Sequence, residues 1–192
     1  DVKEVKVKTL PNILLDEDFN ISHSTMITGL GFYNIKNNKI SENLLNYFNC
    51  NINFDKITDN IEISGITLFK NYKINVYTGI GDFQNALSAI NLNTNDLINN
   101  LGTGSQIALV KDNIKDIKNN NEIRPFFGKY LDCITHIPSG RAIDSFINIF
   151  DNKKDIFKKI TKLNKNNVIN AKLDFNLDIF EGSFNYKKGG YI

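Results

Sequence analysis

Asp82 stands where chemistry is easiest to build: it follows Val76-Tyr77-Thr78-Gly79-Ile80-Gly81, a β-prone run loosened by two glycines, and precedes Phe83-Gln84-Asn85-Ala86. A carboxylate delivered at a strand end can accept a hydroxyl proton while that hydroxyl oxygen attacks an electrophile. One short segment later comes Asn100-Leu101-Gly102-Thr103-Gly104-Ser105-Gln106. Glycine leaves the main chain open, so backbone N–H groups and a hydroxyl in such a turn can approach the oxygens of a phosphate. Each motif also has a plainer reading. Asp82 can simply cap the helix after it, and Gly102 to Ser105 can be a flexible hairpin turn.

The elements that must position these groups follow from periodicity. Ile74, Val76 and Thr78 alternate with Asn75 and Tyr77, which predicts a strand ended by Gly79 and Gly81. Phe83 to Leu92 predicts a helix with Asp82 at its N-cap and with Leu87 and Ile90 or Asn91 facing inward. Strands over 96–101 and 106–111 flank the Gly102 to Ser105 turn, and a third runs over 129–135. Ser139 then caps an amphipathic helix, Arg141 to Phe150, with Ala142, Phe146, Ile149 and Phe150 on one face. Upstream, Gly29 to Ile35 predicts a strand, Ser41 caps a short helix carrying Leu44, Leu45 and Phe48, and Glu62 to Leu68 predicts a further strand. Downstream, 155–163 predicts a helix and 173–180 a strand.

Composition bounds the rest. A chain of 192 residues suffices for one or two small domains, and hydrophobic and charged contents of 41% and 23% fit a globular protein. The net charge of +2, with Lys spread among Asp and Glu, argues against nucleic acid as a partner. No apolar run approaches the ~18 residues of a membrane span, and the start carries no signal-like segment, so a cytoplasmic protein with no membrane partner is expected. Cys50 and Cys133 are far apart and no CxxC occurs, so no protein-held metal is expected. The acidic run Asp16-Glu17-Asp18 reads as a solvated face. Asn-rich stretches such as Asn119-Asn120-Asn121 read as loops.

The two glycine motifs, in this order and spacing, resemble the GIGDxQ and GTGSQ motifs of the FGGY carbohydrate kinases, and within them the sedoheptulokinase-like branch. The resemblance extends upstream through His23-Ser24-Thr25-Met26-Ile27-Thr28-Gly29-Leu30 and Phe32-Tyr33-Asn34-Ile35. Downstream it takes in Arg124-Pro125-Phe126 and Ser139-Gly140-Arg141-Ala142. It covers roughly residues 20 to 150, and more loosely 182 to 192.

The resemblance implies an α/β fold of the ribonuclease-H-like, actin-like ATPase superfold, present as a partial two-lobe fragment. Residues 1–92 would be the later part of the N-terminal lobe and 93–192 the first part of the C-terminal lobe. It implies Asp82 as catalytic base, and Gly102, Thr103, Gly104 and Ser105 as a phosphate-binding loop for ATP. Gly140, opening a helix, would lie near the nucleotide or else form a plain turn, and Mg2+ would arrive with ATP. Gln84 would reach a sugar hydroxyl or steady the acid's neighbours, or else be an exposed first-turn residue. His23 falls where many members carry an Asp or another polar residue that contacts the sugar. Arg124 reads as structural. The small-molecule substrate implied is a ketose such as sedoheptulose, or a xylulose-like sugar; a homo-oligomer is left open. The family's DxGTT/S-type phosphate loop and its late adenosine motif do not occur in these residues. An excised piece with negligible activity by itself is therefore expected. A non-catalytic binding protein and an actin-like ATPase without a sugar substrate remain the alternatives.

Overall fold

The computed structural model describes residues 5–15, 20–116, 121–149 and 153–172. The expected strand over 173–180, the acidic run at 16–18 and the stretch 182–192 lie outside the described residues. The elements in chain order begin with β1 (Val5–Val7), β2 (Ile21–His23), α1 (Ser24–Ile27), β3 (Tyr33–Asn34), β4 (Lys39–Ile40) and α2 (Glu42–Tyr47). Then come β5 (Ile52–Phe54), β6 (Lys56–Thr58), β7 (Ile63–Phe69), β8 (Tyr72–Tyr77) and α3 (Asp82–Ser88). The chain continues through β9 (Leu97–Asn100), β10 (Ser105–Lys111), β11 (Glu122–Phe126), β12 (Lys129–Ile137), α4 (Ser139–Ile147), α5 (Lys153–Ile160) and α6 (Lys165–Ile169).

These form a mixed α/β protein with small sheets. β1 pairs with β5 and β2 with β6 in parallel, while β3–β4 and β7–β8 are antiparallel. A four-stranded sheet has the order β11-β12-β10-β9. The chain divides into two compact units: Asp1–Asp96 with Leu109–Asp132, and Leu97–Ala108 with Cys133–Ile192.

In the first unit the core gathers Ile27, Val76, Phe83, Leu87, Val110 and Leu131, all buried. Each such side chain removed from water contributes about 1.5–3 kcal/mol. The β7–β8 hairpin turns through Lys70 and Asn71 at φ 46° and 70°, the left-handed pair that matches strand twist. At the bulge beside Gly65, Ser64 is buried, and its Oγ accepts from the Ile21 amide at 3.1 Å and donates to the Ile21 carbonyl at 2.9 Å. One serine thus substitutes for a pair of ladder bonds between β7 and β2.

The second unit buries Ala108, Cys133, Thr135, Ala142 and Ile147. Here α4 begins at Ser139, with Pro138 in the cap position and no side-chain cap bond. It ends at Ile147, so Ile149 lies past the helix and is exposed.

Other boundaries shift for local reasons. The expected strand over 29–35 shortens to β3, because Thr28–Leu30 form a 3-10 turn closed by Gly31 at φ 79°. α3 stops at Ser88, which leaves Ile90 exposed. The strand β11, containing Pro125, was not expected from periodicity. Among the described residues no helix is long and apolar enough to cross a membrane.

Candidate functional site

Asp82 sits on a turn fixed at three points within the first unit. Thr78, just past β8, donates its amide to the Glu62 carbonyl at 2.9 Å, and its hydroxyl donates to Asn60 O at 3.2 Å. At Gly79 an added Cβ would overlap the Leu10 carbonyl oxygen, so only glycine allows that approach. Gly81 donates its amide to Thr25 Oγ1 at 3.0 Å. Gly81 is the N-cap and Asp82 the first helical residue, so the helix starts one position earlier than the sequence predicts. Its Oδ1 accepts from the Phe83 amide at 2.7 Å, and the residue is exposed. Among the described residues no hydrogen bond or ion pair is made by the other carboxylate oxygen.

Gln84 points the other way. It is buried, its Nε2 lies 3.5 Å from the Pro125 carbonyl, and a Cβ at Gly81 would come within 2.6 Å of its Oε1. It is therefore not an exposed first-turn residue, and it lies against Gly81, beside the acid. The Arg124 guanidinium lies 5.4 Å from the centre of the Phe83 ring, and its Nε donates to Glu122 Oε1 at 2.7 Å. That arrangement is structural, as the sequence suggests.

His23 ends β2, caps α1 and is completely buried. Its Nδ1 lies 2.9 Å from Thr25 Oγ1 and accepts from the Thr25 amide at 3.3 Å. The Phe127 ring meets it edge-on at 5.3 Å. Burial lowers the pKa of His23 below the ordinary 6.5, opposed by the main chain and the carboxylate of Asp59. The same carboxylate accepts from the Ser24 hydroxyl. Burial also pushes the Tyr33 phenol up to about 12, with Asp59 and Tyr130 adding to it. Inside the unit His23 contacts Thr25, whose hydroxyl accepts from the Gly81 amide.

In the second unit the glycine turn is docked on the start of α4. The Gly102 carbonyl accepts from the Gly140 amide at 3.1 Å, and the Thr103 carbonyl from the Arg141 amide at 3.0 Å. A Cβ at Gly140 would overlap Gly102 O. Ser105 is buried, and its hydroxyl pairs with that of Ser139. The turn thus spends its carbonyls, and not its amides, on α4. Gly102, Thr103 and Gly104 are exposed, and at Gly104 the nearest atom to an added Cβ is Ile137 O at 3.9 Å. Open main chain without a covering side chain suits a phosphate. Gly140, with its amide engaged, shapes the turn.

Among the described residues no three His, Cys, Asp or Glu side chains cluster to hold a metal ion. Sequence reasoning missed Thr25, Ser139 and Phe127 as supports. Thr25 lies 56 positions from the amide it binds, a separation without local signal.

No protein-family model matches the sequence, and no curated protein matches it. Among solved structures, ligand-bound xylulose kinase from Lactobacillus acidophilus is similar: TM-score 0.60 and 14% identity, over 86% of this chain and 36% of that one. The chain shares its fold with part of a xylulose kinase. At this identity the likeness establishes the fold and no activity, and the chain spans 36% of that kinase's length.

Proposed function

We propose that this chain is part of an ATP-dependent sugar kinase of the actin-like ATPase superfold, with 1–92 in the N-terminal lobe and 93–192 in the C-terminal lobe. The observation that carries the reading is the exposed Asp82 carboxylate, held on a turn that Thr78, Gly79 and Thr25 fix, in a chain that folds like part of a sugar kinase. Mg-ATP supplies the γ-phosphoryl group and the charge neutralisation that transfer requires. Asp82 accepts the proton of a sugar hydroxyl as that oxygen bonds to the γ-phosphorus and the bond from that phosphorus to ADP breaks, releasing ADP and the sugar phosphate. Thr103 and Gly104 offer open main-chain N–H groups to phosphate oxygens, and Ser105 and Gly140 hold the turn's shape. The substrate proposed is a ketose, sedoheptulose or a xylulose-like sugar.

The test is a coupled assay of ADP release by the gene product that carries these residues, with Mg-ATP and a panel of ketoses. Sugar-stimulated ADP release with a phosphorylated ketose as product supports the kinase. ADP release indifferent to sugar identifies an ATPase, and ligand binding without turnover identifies a binding protein; either result overturns the proposal.

A further inference from the structure

We propose that Thr25 and His23 are positioning residues that aim Asp82: neutral His23, carrying its proton on Nε2, holds the Thr25 hydroxyl, and that hydroxyl holds the Gly81 amide. The inference rests on the reading of Asp82 as the base and deepens it by assigning what keeps the base in place.

The contacts at Nδ1 favour this arrangement, although Nε2 is buried and has no hydrogen-bond partner among the described residues. The Thr25 amide, which can only donate, lies 3.3 Å from His23 Nδ1, so Nδ1 is an acceptor and bears no proton. The Thr25 hydroxyl oxygen accepts from the Gly81 amide at 3.0 Å. Its single proton is then left for Nδ1, 2.9 Å away. A neutral ring with Nδ1 bare carries its proton on Nε2, and burial of the ring favours the neutral form.

The ring itself is held by strained backbone. Phe127 and Gly128 form the two-residue turn between β11 and β12, at φ 47° and 76°. A phenylalanine in the left-handed region is strained, and here the conformation sets its ring edge on His23. Gln84 braces Gly81 from α3. The residue before Asp82 is thus held by the Thr25 side chain.

Two measurements on the gene product test this. A nitrogen-15 correlation spectrum of the His23 ring in the wild type at neutral pH is expected to show protonated Nε2 and bare Nδ1; a proton on Nδ1 overturns the relay without any variant. Thr25→Val, which keeps the shape and deletes the hydroxyl, is expected to speed Gly81 amide exchange and lower kcat by about tenfold each. Sugar and nucleotide affinities should stay within about twofold, and Thr25→Ser should restore kcat. Wild-type exchange at Gly81 and wild-type kcat in Thr25→Val contradict the inference. The two readings fail separately. Full turnover in Asp82→Asn defeats the base, while loss in Asp82→Asn with none in Thr25→Val defeats only the relay.

Discussion

The Gly140 amide donates to the Gly102 carbonyl at 3.1 Å, and the two backbones are so close that a Cβ at Gly140 would also come within 3.2 Å of the Thr103 Cα. Contact with main chain leaves nothing flexible to move aside. Gly140→Ala is therefore expected to destabilise the protein by about 1–3 kcal/mol, the cost of overpacking a tight contact. Urea denaturation read by circular dichroism measures it; an unchanged midpoint means the turn is not docked on α4 in this way.

Gly104 provides the complementary case. Its added Cβ meets nothing nearer than 3.9 Å, and its φ lies outside the left-handed region. Gly104→Ala should fold like the wild type. If the Thr103 and Gly104 amides contact phosphate, a methyl group there crowds the approach and weakens Mg-ATP binding by about 10- to 100-fold, the worth of one hydrogen bond to a charged group. Calorimetric titration decides; undiminished affinity removes this turn from the nucleotide site.

Acid should weaken the fold through His23. Its folded pKa lies below the 6.5 of the unfolded ring, because burial disfavours the charged form more than Asp59 favours it. As pH falls through 6.5 the unfolded chain takes up a proton that the folded ring refuses. The contribution is intact above 6.5 and is lost as pH falls toward the folded pKa. Ring-proton NMR titration of His23 should show a midpoint below 6.5, accompanied by falling urea midpoints; a midpoint above 6.5 reverses the assignment.

Tyr33 makes the opposite limit. Its phenol is pushed up to about 12, chiefly by burial, so between its ordinary 10.0 and that value the unfolded chain ionises while the folded one does not. Its contribution is intact below 10.0 and lost as pH rises toward 12. Phenolate absorbance should show a step near 12 that Tyr33→Phe removes. A step that persists in the variant belongs to another tyrosine.

Local order was legible in the sequence, and long-range support was not. Alternation at Ile74, Val76 and Thr78 marked β8, and the glycines marked its end, because strand period and glycine chemistry are local. The docking of Ser139 and Gly140 on the second motif was invisible, although both residues stood in a recognised stretch; nothing local tells a helix start that binds phosphate from one that binds a turn. Gln84 illustrates the same limit. It occupies the first turn of α3 and is buried, because β11 supplies a carbonyl at Pro125 that no periodicity announces. Thr25 is the sharpest case: a hydroxyl from a four-residue helix holds the Gly81 amide. Likewise, the Phe127 turn is locally unfavourable, and its contact with His23 becomes evident only in the folded unit.

The measurement that bears most directly on the central claim is the turnover of Asp82→Asn in the gene product, with the ketose that best stimulates ADP release. Asparagine keeps the size of the side chain and removes its capacity to take a proton. Loss of the base predicts kcat lower by about 10²- to 10⁴-fold, with sugar and nucleotide affinities nearly unchanged. Wild-type kcat in this variant would contradict the assignment of Asp82 and, with it, the proposed kinase chemistry of this chain.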